Sequence, residues 1–586
     1  MSSNWELALQ PDEKLIKEIS HELKLNPIIV RILVGRNIDT PAKIERFLNC
    51  DLNDLCDPYL LQDTQVAVNR IIQALRENEK MMIFGDYDVD GITATSLMFL
   101  VLNRLGGEVS YYLPNRLLEG YGLSEDGILE AQKRGVKLII TVDCGVTAYE
   151  EIKFAKEKGI DCVITDHHEP QDRCLDAVAV MNPKQKGKNY EGGELSGVGV
   201  AFKLAQALYQ KLDQDQAELE EHLDLVALGT AADIVPLVDE NRILTKFGMR
   251  QITRTTKPGL KSLIFVSGIM GEEINTGQVI FVLAPRINAV GRLGDAEKAI
   301  KLLTTKDGKL AAELARFLDA ENKKRKDIDE GTLEQALEMI RQNVNLSEDR
   351  VIVLSSSNWH PGVIGIVASR IVERYHRPTV MITIDKDGGK GSARSISSFH
   401  LYNALKECEE LLLKYGGHKY AAGLSILPQN IPLFESKLKE IASQKLKAED
   451  LVPKLYIDTE IELEQIDEIL VNLIEKFAPF GPQNSKPVFL TRNLEVIGQP
   501  YIVGNNHLKL KVGRGERIFD AIGFGLGDWV KPLGMRKIDL DLAYVIERVE
   551  WNGESRIQLR IKDLKFSGSW DGDFREILSG RKDSTG

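Results

Sequence analysis

The chain has 586 residues, which is too long for one hydrophobic core and predicts three or four domains. Hydrophobic residues make up 43% and charged residues 28% of it, and no apolar run approaches the roughly 20 residues that span a bilayer, so a membrane-embedded function is excluded. The net charge of -12 does not exclude a nucleic-acid partner, because bound cations offset the charge of a carboxylate-rich site.

The six cysteines form no CxxC pair, and the first residues lack the basic start and apolar stretch of a secretory signal. A structural zinc site and a disulfide framework are therefore not expected. We expect a cytoplasmic protein with no membrane partner.

The first 306 residues are predicted to contain a helical segment and an α/β domain. Residues 1–62 show helical spacing, and residues 63–306 form the α/β part. In the latter, strand-like runs begin at Met81, Val109, Val136, Ile160 and Ala177, with amphipathic helical segments between several of them. Such strand–helix–strand units are typical of a parallel sheet whose apolar strands are covered on both faces.

The second half of the chain predicts three further parts. Residues 307–345 form a long, charged helix that connects two domains, and residues 346–447 form a smaller α/β domain. Residues 448–568 alternate short strand-like runs with turns, which predicts a small barrel or sandwich. Residues 569–586 form a polar tail.

Acidic residues and histidines follow three of the predicted strands. Ligands of an open parallel sheet bind beyond the carboxyl ends of its strands, so these side chains are expected to meet at one edge. Asp233 follows a predicted helix and completes the group. The candidate residues are Asp86, Asp88, Asp90, Asp143, His167, His168 and Asp233.

Five or more carboxylates at one place repel each other, and divalent cations relieve the repulsion. Aspartate and histidine without cysteine suit Mn²⁺ or Mg²⁺. Two such ions recur in enzymes that hydrolyse phosphate esters. A single acidic residue after a strand is often only a helix N-cap. Capping needs alone do not account for the whole set, so we interpret it as a two-metal phosphoesterase site.

The motifs GDYDVDG, TVDCG, TDHHEP and TAADIVPL resemble, in this order, those of the DHH phosphoesterase superfamily. The segments YYLPNRLLEGYGL, LAPRINAVGRLG, NWHPGVIGIVASRI, GKGSARS and GGHKYAAG resemble those of its RecJ family, which are single-strand-specific 5′→3′ DNA exonucleases. The resemblance covers most of the chain, from about residue 60 to 565.

The resemblance implies metal-ligand roles for Asp88, Asp90, Asp143, His167 and Asp233, with Asp143 bridging two ions. His168 is expected to face the scissile phosphate. Many relatives carry a histidine four residues before the first metal-binding aspartate, where this chain has Phe84. Asp86 is the plausible substitute, as a ligand or as a hydrogen-bonding partner.

The resemblance also implies substrate contacts. Arginine suits phosphate oxygens, which its planar guanidinium binds in pairs, and Tyr121 either stacks on a base or packs in the interior. His360 is either a phosphate contact or a structural histidine. The candidates are Arg116, Tyr121, Arg286, Asn288, Arg292, His360, Ser392, Arg394, Gly416, Gly417 and His418.

The β-rich C-terminal part resembles an OB-fold, the small barrel that often binds single strands. Lys509, Lys511, Arg514 and Arg517 are expected to contact the strand, unless they are only solvated surface charges.

The predicted activity is 5′→3′ hydrolysis of single-stranded DNA to 5′-mononucleotides in repair and recombination, with a helicase and a single-strand-binding protein as candidate partners. The polarity follows from the resemblance alone. Two alternatives stay open. One is a related phosphoesterase acting on short RNA, cyclic dinucleotides or pyrophosphate. The other is a non-catalytic replication scaffold.

Overall fold

The computed structural model describes residues 3–114, 119–185, 190–293, 295–386, 388–535, 539–551 and 554–568. The chain forms two compact units. Unit 1 contains Met1–Cys50, Lys447–Ala478 and Ser485–Gly586, and unit 2 contains Asp51–Leu446 and Pro479–Asn484. Among the described helices, none combines the length and the apolar character that crossing a membrane requires.

The N-terminal part of unit 1 contains one strand and three short helices: β1 (Asn4–Leu7), α1 (Glu13–Leu23), α2 (Pro27–Gly35) and α3 (Pro41–Asn49). Each helix begins where a side chain, that of Asp12, Asn26 or Thr40, accepts a hydrogen bond from a first-turn amide. The three helices lie within the range 1–62, and β1 precedes them.

Unit 2 begins with a five-stranded parallel sheet in the order β3-β2-β4-β5-β6. Its strands are β2 (Met81–Phe84), β3 (Val109–Tyr112), β4 (Leu138–Val142), β5 (Asp161–Thr165) and β6 (Ala179–Met181). Its helices are α4 (Thr64–Glu77), α5 (Val89–Arg104), α6 (Glu125–Arg134), α7 (Tyr149–Glu157) and α8 (Gly197–Lys211). Buried apolar clusters on both sides of the strands explain their continuous apolar runs. The predicted parallel α/β fold is confirmed.

A helical block follows the sheet. It contains α9 (Gln216–Glu220), α10 (Leu223–Asp233), α11 (Asp239–Thr253), α12 (Pro258–Val266), α13 (Thr276–Gln278), a π-helical turn (Val279–Leu283), α14 (Ala284–Leu293) and α15 (Glu297–Thr304).

The predicted connecting helix is confirmed as α16 (Gly308–Asn343). Its two ends contribute to different cores. Leu314 and Leu318 join the core of the parallel-sheet domain, and Ala336 and Ile340 join that of the next domain.

The smaller α/β domain has a mixed sheet in the order β10-β11-β9-β8-β7, in which only β7 and β8 run parallel. Its elements are β7 (Ile352–Ser356), α17 (Ile364–Tyr375), β8 (Thr379–Asp385), β9 (Gly388–Arg394), α18 (Leu401–Lys406), β10 (Leu412–Gly417), β11 (Ala421–Ile426) and α19 (Ile431–Lys445).

The C-terminal part of unit 1 is a closed five-stranded barrel, because β14 pairs with both β15 and β17 in the order β14-β15-β16-β18-β17. The elements here are β12 (Lys454–Ile457), β13 (Thr459–Glu460), α20 (Glu468–Glu475), β14 (Phe489–Val503), β15 (His507–Arg514), β16 (Arg517–Gly523), α21 (Val530–Met535), β17 (Leu540–Trp551) and β18 (Glu554–Phe566). The predicted barrel is confirmed.

The N-terminal strand belongs to the same unit as the barrel. β1 pairs in parallel with β12, and the indole Nε1 of Trp5 donates a hydrogen bond to Asp563 Oδ2 on β18 at 2.9 Å. The separation of 558 residues between these two positions explains why no local sequence pattern indicates the contact.

A fully buried ion pair stabilises the parallel-sheet domain. Lys203 on α8 and Glu240 on α11 have 0% and 1% of their side chains exposed, and Lys203 Nζ lies 2.9 Å from Glu240 Oε1. Lys203 Nζ also donates to the Cys56 carbonyl, and the Tyr190 hydroxyl donates to Glu240 Oε2. These hydrogen bonds satisfy the polar atoms of both side chains. Removal of the lysine cation alone would leave a buried carboxylate without its counter-charge.

We predict that Lys203→Met lowers the free energy of unfolding of unit 2 by about 3–5 kcal/mol, measured by urea denaturation. The control is Lys301→Met, which breaks the exposed i,i+4 pair with Glu297 and should change stability by no more than about 0.5 kcal/mol. Equal effects of the two substitutions would contradict the prediction.

Candidate metal centre

The GDYDVDG loop connects β2 to α5. Asp88 is the N-cap of α5 and accepts a hydrogen bond from the Gly91 amide at 3.0 Å. The loop folds tightly at Gly91, because a Cβ there would lie 2.6 Å from the Asp86 carbonyl oxygen, so this position excludes any larger residue. The tight turn gathers Asp86, Asp88 and Asp90 at the end of β2.

Two further strand ends add Asp143 and the DHH residues. Asp143 follows β4 and adopts a left-handed backbone conformation with φ 60°, which is uncommon for a residue with a side chain. His167 and His168 follow β5 after one intervening residue, Asp166. Strand-end placement in a parallel sheet therefore assembles the site, as the sequence predicts.

The strongest sign of a metal site is a set of buried ligand atoms with no hydrogen-bond partner among the described residues. These are Asp143 Oδ1, His167 Nε2 and Asp233 Oδ2. His167 Nε2 lies 3.1 Å from Asp143 Oδ1 and 3.6 Å from Asp233 Oδ2. Buried polar atoms are normally satisfied, so three that converge without a hydrogen bond fit a shared cation.

All seven predicted residues fall into three overlapping groups. Within each group, one ligand atom per residue lies within 4.8 Å of the others. The groups are Asp86–Asp88–Asp143, Asp90–His167–Asp233 and Asp143–His167–His168. Asp143 and His167 each lie in two of them, and the bridging role of Asp143 stays a prediction.

The electrostatics of the cluster favour a bound cation. Burial, followed by repulsion from the neighbouring aspartates, raises the pKa of Asp90 and of Asp143 well above the ordinary value, and also raises the pKa of Asp88. Burial lowers the pKa of His167, which keeps its ring neutral, as a metal ligand must be. Oxygen and imidazole donors without thiolate suit Mn²⁺ or Mg²⁺.

Asp90 is held by the first residues of α8. The amides of Gly197 and Val198 donate to Asp90 Oδ2 and Oδ1 at 2.6 and 2.9 Å. These bonds fix both carboxylate oxygens and place Asp90 at the positive end of the helix. This support was not predicted from the sequence, although Ser196 followed by small residues is a recognisable helix start.

Asp166, the first residue of the DHH motif, organises both histidines. Its Oδ1 accepts bonds from the amides of His167 and His168 and lies 2.7 Å from His168 Nδ1. Burial opposes the ionised form, but the hydrogen bonds outweigh it and lower the pKa of Asp166. At His168 burial lowers the pKa of the ring, but the contact with Asp166 and the negative charges of Asp233 and Asp88 together outweigh it, so the pKa is raised. Asp166 thus positions the histidines, a role that the sequence analysis did not assign.

Phe84 occupies the position where many relatives have histidine. It is fully buried in an apolar cluster, and its ring lies 5.2 Å from that of Tyr112. Asp86 instead lies in one group with Asp88 and Asp143. This location supports Asp86 as the substitute ligand, although its role stays a prediction.

Tyr121 lies at the edge of the cluster with 51% of its surface exposed. Its hydroxyl donates to the Asp143 carbonyl at 2.9 Å and lies 3.1 Å from His168 Nδ1. The hydroxyl is therefore anchored while the ring remains accessible, which argues against interior packing.

The helix α14 approaches the aspartate loop closely at Gly291, where a Cβ would lie 2.2 Å from the Tyr87 carbonyl oxygen. This helix carries Arg286, whose Nε donates to Asp319 at 2.8 Å, and the half-buried Asn288. Arg286 is thus paired with a carboxylate of α16 rather than directed to solvent. The predicted Arg116 and the side chain of Arg292 lie outside the described residues.

The predicted phosphate-binding residues of the smaller domain lie on three adjacent strands. Ser392 on β9 pairs with Gly423 on β11, which pairs with Gly416 on β10. Arg394 Nη1 donates to Ser392 Oγ at 3.2 Å. The remaining members, Gly417 and His418, end β10 and begin the turn to β11. The glycine-rich motif is therefore an edge-strand hairpin, whose outer backbone groups the sheet does not pair.

The other predicted substrate contacts differ in what their side chains bind and in where they lie. His360 Nδ1 accepts from the Gly362 amide at 3.0 Å, as a structural histidine does. On the barrel, Lys509 and Lys511 lie on β15, with Lys509 opposite the exposed Tyr501, and Arg517 begins β16. Arg514 lies within ion-pair distance of Glu462.

Three domain families match the sequence. Residues 80–230 match the DHH family, N-terminal domain, residues 348–444 match the DHHA1 domain, and residues 457–563 match the RecJ OB domain.

Curated relatives extend the match over nearly the whole chain. The single-stranded-DNA-specific exonuclease RecJ of Bacillus subtilis is 40% identical over 569 residues, covering 96% of this chain and 71% of the relative. The Escherichia coli protein of the same name is 34% identical over 564 residues, covering 92% and 96%.

Solved structures agree. RecJ from Thermus thermophilus in complex with Mn²⁺ superposes with a TM-score of 0.82 at 28% identity, covering 97% of this chain and 80% of that one. The Mg²⁺ complex gives a TM-score of 0.77 at 27% identity, covering 97% and 79%. Fold, motif order and overall identity lead to one conclusion: this chain belongs to the RecJ family of the DHH phosphoesterases.

Proposed function

We propose that this protein is a metal-dependent exonuclease that hydrolyses single-stranded DNA from the 5′ end and releases 5′-mononucleotides. The observation that carries the proposal is the convergence, in a chain of this family, of three buried ligand atoms that have no hydrogen-bond partner in the described part of the chain. These atoms are Asp143 Oδ1, His167 Nε2 and Asp233 Oδ2. A scaffold that had lost catalysis would have no need to keep buried carboxylates in mutual repulsion.

The residues divide naturally between two cations. Asp90, His167 and Asp233 would hold one Mn²⁺ or Mg²⁺, and Asp86 and Asp88 the other, with Asp143 shared. Bound cations would activate water and offset the charge that develops on the phosphoryl group. Asp90 is held by the two α8 amides, and Asp166 binds the backbone amides of both histidines and the ring of His168, so these residues are pre-organised.

His168 is suited to contact the scissile phosphate. Its bond to Asp166 raises the pKa of the ring and therefore favours the imidazolium, which can donate a hydrogen bond to a phosphate oxygen. Tyr121, anchored through its hydroxyl beside His168, offers its exposed ring to a base.

The domains would divide the remaining tasks. In this proposal residues 63–306 carry out the reaction, and residues 346–447 bind a nucleotide phosphate through Ser392, Arg394, Gly416, Gly417 and His418. Residues 448–568 bind the strand, and Lys509, Lys511 and Tyr501 support this by combining positive charge with an exposed aromatic ring. Arg286 would have to break its ion pair with Asp319 before its guanidinium could bind a phosphate. The activity would serve DNA repair and recombination, together with a helicase and a single-strand-binding protein.

We predict that Asp143→Asn weakens Mn²⁺ binding by about 100-fold or more, measured by calorimetry, because it removes an oxygen shared by two ligand groups. Nuclease activity should fall with it. In metal-free protein the same substitution should raise the melting temperature or leave it unchanged, because it removes one repelling carboxylate. Glu157→Gln, on the exposed face of α7, is the control and should match the wild type in all three measurements. Wild-type Mn²⁺ affinity in Asp143→Asn would refute the proposed centre.

We also predict the polarity of the reaction. With Mn²⁺, a 5′-labelled single strand should release labelled mononucleotide from the first time point, whereas a 3′-labelled strand should shorten gradually. The matched duplex, a dinucleotide and pyrophosphate serve as comparison substrates and should react much more slowly. Early release from the 3′ end would refute the polarity, and faster hydrolysis of a dinucleotide or pyrophosphate would favour a different phosphoesterase.

A further inference from the structure

Asn241, in the first turn of α11, is a fully buried polar residue that contacts no predicted ligand directly. Its Nδ2 donates to the carbonyl oxygens of Glu194 and of Pro236, the latter at 3.1 Å. Its Oδ1 accepts from the Ser196 amide at 3.3 Å. One side chain thus connects two segments that are distant in sequence, 194–196 and 236.

The first of these segments leads into the start of α8. Ser196 is the N-cap of this helix, and its hydroxyl accepts from the Gly199 amide. The next two amides, those of Gly197 and Val198, hold the carboxylate of Asp90. A displacement of Ser196 would therefore move the groups that orient Asp90.

The start of α8 also limits the position of Asp143. A Cβ at Gly197 would lie 2.4 Å from Asp143 Oδ1, so helix and ligand are in direct contact. The segment that Asn241 holds thus supports two of the predicted ligands.

The second segment follows Asp233. The helix α10 ends at this residue, and Ile234 leaves it in the left-handed conformation with φ 63°. Pro236, whose carbonyl Asn241 binds, lies three residues after Asp233. The bond therefore restrains the chain just beyond the third ligand.

We propose that Asn241 is a positioning residue that sets the spacing between Asp90 and Asp233, and with it the metal affinity of the Asp90–His167–Asp233 group. The inference rests on the proposed metal centre and adds a residue that touches neither metal nor substrate. Residues of this kind commonly change metal affinity or activity by about 10–100-fold.

The experiment compares Mn²⁺ binding by wild type, Asn241→Leu and Asn241→Ser. Leucine keeps the approximate volume and removes all three hydrogen bonds, so the Mn²⁺ dissociation constant should rise by about 10–100-fold in calorimetry. Serine retains a donor and an acceptor on a shorter side chain and should give a smaller increase. In activity assays, a higher Mn²⁺ concentration should restore kcat, because the ligands themselves are intact.

The matched control is Asn430→Leu. The Asn430 amide also donates to a backbone carbonyl, that of Leu411 at 3.1 Å, but in the smaller α/β domain. This variant should keep the wild-type Mn²⁺ affinity even if its melting temperature falls.

A folded Asn241→Leu variant with lower stability but a Mn²⁺ affinity within about threefold of wild type would overturn the proposal, since the loss of a group that orients metal ligands has a larger effect. If Asn241→Leu does not fold, the same comparison is decided by Asn241→Ser. Absence of Mn²⁺ binding in the wild type would instead overturn the proposed metal centre, so the two failures are distinguishable.

Discussion

The repulsion among buried carboxylates is the physical constraint that the parallel-sheet domain has to accommodate. Asp88, Asp90 and Asp143 each have a raised pKa, first through burial and then through repulsion from neighbouring aspartates, which for Asp88 and Asp90 is strongest from Asp233. Much of the surrounding structure holds these charges in place: the tight turn at Gly91, the amides of α8, and the left-handed backbone of Asp143. The repulsion among these carboxylates destabilises the folded chain, and bound cations offset it. Metal binding is therefore linked to stability.

The support of the site is layered. The aspartates and His167 form the centre, and Asp166 and the α8 amides hold them. Further from the ligands, two contacts connect α11 to α8. Asn241 on α11 binds the amide of Ser196 at the start of α8, and the neighbouring Glu240 forms the buried ion pair with Lys203 on α8. Each layer uses backbone groups as partners, which is why single side chains can restrain several ligands at once.

The sequence was sufficient to predict the parallel sheet, the connecting helix, the barrel and the grouping of seven site residues. These features depend on local patterns, namely apolar runs, charge periodicity and motifs at strand ends. The roles of Asp166, Asn182 and Asn241 were not predicted. Asn182, for example, donates to the His168 carbonyl from the end of β6. A polar side chain that binds a distant carbonyl leaves no periodic signal, and only the folded chain reveals its partner.

The pairing of β1 with the C-terminal half of unit 1 has a consequence for biosynthesis. Trp5 and Asp563 are separated by 558 residues, so their contact cannot form until almost the entire chain has left the ribosome. Unit 2 is complete after Asn484 and can fold while the barrel is still being made. During translation β1 can pair with β12 once Ile457 has been synthesised, whereas the hydrogen bond from Trp5 to β18 has to wait until Asp563 has been synthesised.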